Sequence, residues 1–199
     1  MSEPLEASDE PADTRTDTAD PEATGDDAER LSHTDAAHEI AGRLHPDRGD
    51  LSNGDRAELR RISPEAPFTP TLWRLLLEYN IEKPPGWWRD GSQVWEKRWA
   101  TLVMGMAHCA GLHDRSAAFG EALYDAGWAE GRLVRLLETP ADRLHVPVRR
   151  LAQYLSSQSH AADWTAVSRL LFDSGDYAEE TRLSIARDFY RAQYRDENE

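Results

Sequence analysis

The sequence predicts an all-α fold, a bundle of eight or nine helices, and three observations carry that prediction. From Ser92 to about Ala110, the residues Trp95, Trp99, Leu102, Val103, Met106 and Ala110 recur at the spacing of one buried helix face. From Phe119 to Leu155, further apolar residues recur at three and four: Leu133, Leu136 and Leu137, then Leu144, Val148, Leu151 and Leu155. Strand-like alternation and a solenoid-length repeat are both absent from the chain.

In chain order, residues 1–33 are Asp, Glu, Ala, Thr and Pro with almost nothing to bury. Such a segment cannot offset its ordering entropy, so a disordered acidic tail is expected there. A single domain is expected over 34–195, with an acidic end at 196–199. The domain opens on a weakly patterned helix, Ala36 to Leu44, ended by His45-Pro46. Ser52 or Asn53 then caps a helix with Leu59 and Ile62 facing inward, stopped by Pro64. Its arginines, Arg56, Arg60 and Arg61, fall at i, i+4 and i+5. Thr69-Pro70 opens the next helix, which puts Leu72, Leu75, Leu76 and Tyr79 on one side. KPPGWWRDG reads as a turn-rich connector into the long Ser92 helix. A short helix from Phe119 stops at Gly127, a second starts near Glu130, and a third is opened by Thr139-Pro140. Asp163 caps a helix over Trp164 to Phe172, and Tyr177 to Tyr194 forms the last, built on Leu183, Ile185, Ala186, Phe189 and Tyr190.

The stretch 119–155 also carries Arg132, Arg135, Arg143, Arg149 and Arg150 opposite its apolar stripes, against only Glu138 and Asp142. Arg132 and Arg135 are i, i+3 neighbours, and a continuous helix would put Arg143 and Arg150 two turns apart on nearly the same side. A guanidinium is permanently charged, planar and matched to phosphate oxygens. A solvated helix face is the plainer reading of any one of them, whereas five on one segment of an acidic protein favour an anionic partner. The net charge is −14, but residues 1–29 hold 11 acidic groups and one basic. The remainder holds 26 acidic and 22 basic, close to balance. That balance admits a nucleic-acid surface and argues against an indiscriminate, free-standing DNA binder.

Chemistry is poorly supplied. Cys109 is the only cysteine, so an internal disulfide or a cysteine-based zinc cluster is excluded. His108, Cys109, His113 and Asp114 include competent metal ligands, but the histidines are five apart rather than four and lack an accompanying glutamate base. Neither Cys109 nor Ser116 sits in a nucleophile signature, and GSQVW and GDRAELRR lack the glycines and lysine of a phosphate loop. No enzyme activity, metal or cofactor is expected. No apolar run is long enough to cross a bilayer and the acidic start is unlike a signal peptide, so a cytoplasmic location is expected. Most of the seven tryptophans lie at core spacing; Trp87, Trp88 and Trp128, beside turns, are candidates to meet a partner or stack a base.

Over roughly 50–193, an ordered succession of motifs resembles the CasB family, the small subunit of the type I-E CRISPR surveillance complex, Cascade. The motifs are GDRAELRRI; FGEALYDAG with EGRLVRLLET, DRL and VRRLAQYL; DWTAVSRLLF; and ARDFYRAQ. The resemblance implies an all-helical, non-catalytic protein, paired with a second copy and seated among the other Cascade subunits. It implies that basic residues help hold the guide RNA–target DNA hybrid and the displaced strand. The positions on the family's basic pattern are Arg56, Arg60, Arg61, Arg132, Arg135, Arg143, Arg149 and Arg150. Two features depart from that pattern: the acidic tail, and Pro147, expected to interrupt a helix that the family leaves unbroken. The rivals are a helix-turn-helix regulator of duplex DNA, an enzyme, metal-dependent or not, resting on His108 and His113, and an adaptor with no nucleic-acid contact.

Overall fold

Local capping starts the bundle. The computed structural model describes residues 31–63 and 66–198, and among these it has nine α-helices, one 3-10 turn and no strand. Residues 1–30 of the expected tail, with Pro64, Glu65 and Glu199, lie outside the described residues. α1 spans His33–Leu44: Ser32 accepts from the Asp35 N–H, and Ala36, Ala37, Ile40, Ala41 and Leu44 are buried. It thus begins three residues before the expected start, because His33 is held by Phe172 (ring centroids 5.5 Å apart) and Asp173 (3.1 Å). α2 spans Asn53–Arg60 and starts with a reciprocal Ser52–Asp55 capping box. α3 spans Pro70–Glu78, with Thr69 as cap and Pro70 in the first turn, where a missing N–H costs nothing.

α4, Ser92–His108, is the axis of the bundle. The run Ala100–Ala107 is buried on all sides because α1, α2, α7 and α8 pack around it. Phe172 closes one end, with ring centroids 4.7 Å from Trp95 and 4.8 Å from Trp99. Gly105 permits the close approach of Trp164, whose ring would lie 2.6 Å from an added Cβ.

α5 (Phe119–Asp125) lies along α9 (Gly175–Asp196), and the two backbones meet at Gly120. Gly127, at φ +77°, turns the chain sharply out of α5, as an L side chain there would resist. α6 is Glu130–Glu138, α7 is His145–Gln158 and α8 is Thr165–Phe172.

Three sequence expectations are corrected here. No helix opens at Thr139-Pro140; a 3-10 turn, Ala141–Arg143, precedes α7, so Arg143 and Arg150 do not share a helix face. Pro147 consequently interrupts nothing, because it sits in the first turn of α7, where the amide has no intrahelical partner to lose. On α9 the buried face is Ala178, Thr181, Ile185, Phe189 and Ala192, while Leu183 (49 % exposed) and Tyr190 (41 %) turn outward. No described helix is long and apolar enough to cross a membrane.

Candidate nucleic-acid interface

α6 and α7 face each other across a groove of about 610 Å³. Arg132, Arg135 and Leu136 line it from α6; Pro147, Arg150, Gln153 and Tyr154 line it from α7; Trp128 closes it from the preceding turn. The apolar residues of each helix fix this orientation. Leu133 and Leu136 are drawn into the core from α6, and Val148, Leu151, Ala152 and Leu155 from α7, leaving the arginines outward.

The three groove arginines contrast with the arginines that do form ion pairs. Arg43 pairs with Asp50 and Glu78, Arg74 with Asp55, Arg98 with Asp90, Arg115 with Asp35 and Arg195 with Glu121. Arg132, Arg135 and Arg150 make no hydrogen bond or ion pair among the described residues, and no carboxylate lines their groove. Arg132 does lie over the Trp128 ring, 5.3 Å from its centroid. Trp128 itself is fixed edge-on against Tyr154 at 4.9 Å, and the Tyr154 hydroxyl donates toward the carbonyls of Ala126 and Gly127 at 2.8 and 2.9 Å.

The remaining candidates divide. Arg60 and Arg61 are exposed at the end of α2. Arg149 of α7 donates to the Ile62 carbonyl, which ties α7 to that same end of α2 and brings together two clusters far apart in sequence. Arg60 and Arg149 both lie close enough to His108 to lower its pKa, although burial of the ring is the larger cause. Arg143 stands exposed in the 3-10 turn, 3.9 Å from Asp142. Arg56 is different in kind. It is 8 % exposed and donates to the Leu51 carbonyl (2.8 Å) and to Asn53 Oδ1 (2.6 Å). With two of its five N–H donors spent inward on its own loop and the residue almost wholly buried, Arg56 presents little to a phosphate, unlike exposed Arg60 and Arg61.

Gln153 and Tyr154 were not singled out from the sequence. Their spacing from Arg150, at i+3 and i+4, would have put them on the same face. Trp128, a candidate to meet a partner or stack a base, is only 7 % exposed and serves as the groove's closing wall.

His108 and His113, on which the metal reading rests, face different partners. His108 faces the arginines, whereas His113 faces His38, with Nε2 and Nδ1 2.9 Å apart. No group of three or more His, Cys, Asp or Glu side chains able to hold a metal occurs among the described residues. Burial pushes the Cys109 thiol up to about 12, and its Sγ donates to the Ala152 carbonyl, so no thiolate is present at neutral pH. α6 is nine residues long and opens on Glu130 and Gly131, which makes it a poor reader of a major groove.

The sequence model for the family described as CRISPR-associated protein Cse2 matches residues 55–190. No curated protein matches. Among solved structures, the fold is similar to CasB from Thermobifida fusca, with a TM-score of 0.58 and 20 % identity, covering 79 % of this chain and 95 % of that one. It is likewise similar to a chain in the crystal structure of E. coli Cascade bound to a PAM-containing double-stranded DNA target. There the TM-score is 0.57 and the identity 19 %, covering 79 % of this chain and 96 % of that one.

Proposed function

The chain belongs to the CRISPR-associated Cse2 family, and from that premise we propose that it is a non-catalytic small subunit of a Cascade-type, RNA-guided DNA surveillance complex. In that complex it stabilises the guide RNA–target hybrid and the displaced DNA strand through arginine contacts to phosphates. The observation that carries the reading is the groove between α6 and α7, lined by three unpaired arginines and no carboxylate on a protein of net charge −14. Arg60, Arg61 and Arg143 extend the contact surface, and Arg149 braces α7 against the end of α2.

A displaced strand has no fixed sequence to read, so its holder needs phosphate contacts that tolerate any base. Each contact can be weak when neighbouring subunits hold the strand close, because effective concentration replaces intrinsic affinity. That is how a chain with an acidic overall balance works on nucleic acid. The resemblance extends the proposal to pairing with a second copy and to seating against the other subunits and the guide RNA.

The test is co-purification of the tagged chain from cells that express the neighbouring subunits and a repeat array. It is expected to elute in a large assembly containing a short RNA. Elution alone, free of RNA and of other subunits, would refute the assignment.

A further inference from the structure

The groove holds more than the phosphate-binding role requires. Phosphate contact needs exposed cations, and Arg60 and Arg61 at the end of α2 already supply those. Between α6 and α7 the cations instead rim an apolar floor, Leu136 and Pro147, with an amide, Gln153, on the wall. One cation is also oriented. Arg132 lies over Trp128, and Trp128 is clamped by Tyr154, whose hydroxyl is anchored on the Ala126 and Gly127 carbonyls. A guanidinium held over a fixed indole is a planar cation whose open face can receive a base, while its edge N–H groups remain available to phosphate oxygens.

Building on the nucleic-acid reading above, we infer that this groove takes a single unstacked nucleotide of a single strand. The base stacks on the Arg132 plane over Leu136 and Pro147, its edge meets the Gln153 amide, and its flanking phosphates rest on Arg135 and Arg150. The ligand class is thus a single-stranded nucleic acid with a base, not phosphate alone. A duplex would not serve, because its bases are stacked and turned away from such a groove.

The experiment uses the full chain and two fluorescent probes of equal length and charge, an oligothymidylate and a wholly abasic strand, followed by anisotropy at low salt. One stacked base should favour the intact strand about 5- to 150-fold. Arg132→Lys keeps the charge and removes the plane, so it should erase most of that preference by weakening oligothymidylate binding far more than abasic-strand binding. Gln153→Ala should reduce the preference less. Equal affinity for the two strands, with Arg132→Lys neutral, would overturn the inference and leave the phosphate reading standing. Failure of both strands to bind would overturn the inference, and the phosphate reading would then stand or fall on the assembled complex, where neighbouring subunits hold the strand close. Binding of a polyglutamate peptide as tight as that of oligothymidylate would overturn the inference as well, since it would show a general anion site.

Discussion

Replacing Arg56 with alanine should damage the fold and leave nucleic-acid binding alone, although Arg56 lies in the same motif as Arg60 and Arg61. The residue is 8 % exposed, and its guanidinium makes two hydrogen bonds, to the Leu51 carbonyl at 2.8 Å and to Asn53 Oδ1 at 2.6 Å. A hydrogen bond from a charged group contributes about 1.5–3 kcal/mol net, and removal of the donor also strands the Leu51 carbonyl where Leu51 is itself buried. The two losses are not additive, because both bonds hold one side chain, so a total of about 2–4 kcal/mol is expected. For a chain of this size that lowers Tm by about 5–15 °C. Arg60→Ala, at an exposed position, should change Tm by no more than a degree or two, roughly the scatter expected of surface substitutions. The assay is thermal unfolding beside a salt series of strand affinity for each variant. A stable Arg56→Ala protein with a flattened salt dependence would mean that its guanidinium faces phosphate, and the division of the arginines drawn here would be wrong.

Two further outcomes follow from the packing and the buried rings. Gly120→Ala should destabilise by about 1–3 kcal/mol, at the upper end of overpacking costs, because the new Cβ would stand 2.0 Å from the Ile185 carbonyl oxygen, backbone that cannot swing aside; an unchanged Tm would mean that α5 and α9 are not so closely apposed. His108 and His113 are both held below the ordinary histidine value of 6.5, chiefly by burial, so the unfolded chain takes up protons first; the stability they contribute is complete above about pH 6.5 and falls as the pH drops below it. Tm measured from pH 7.5 to 5 should fall, and His113→Gln should shallow that decline; an equal slope in the variant would locate the acid sensitivity elsewhere.

Periodicity made most of the architecture legible. The long helix was expected over Ser92 to Ala110 and spans Ser92–His108, and the Ser52 cap and Thr69-Pro70 opening are where their chemistry puts them. The ordered motifs also led to the right family, since the resemblance over roughly 50–193 and the family match over 55–190 cover nearly the same stretch. What periodicity cannot supply is which of two apolar faces on one helix is buried. On α9 both Ile185 and Leu183 fit a stripe, and only the approach of α5 at Gly120 decides for Ile185. Arg56 is told apart from Arg60 only in the structure, for a related reason: i, i+4 spacing groups the two and says nothing about the Leu51 carbonyl that Arg56 donates to. Pro147 was misread because a proline inside a helix and one in its first turn look the same until the start of the helix is known. Of the groove, the arginines were legible as charge without partners, whereas Trp128, Gln153 and Tyr154 became part of it only when α6 and α7 were set face to face.

The central claim is that Arg132, Arg135 and Arg150 meet phosphates. Its most direct test is the affinity of the assembled complex for target DNA across a salt series, with these three residues intact or all replaced by alanine, and with Tm measured alongside. About 0.7 of log–log slope is expected for each single-strand phosphate contact, so the triple variant should lose about 2 from the slope. Its Tm should fall by no more than a few degrees, since none of the three side chains holds a hydrogen bond or ion pair among the described residues and only the Arg132–Trp128 contact, worth about 0.5–1 kcal/mol, is lost. An unchanged slope together with a larger fall in Tm would contradict the account, because it would show the arginines to be part of the fold rather than the binding surface.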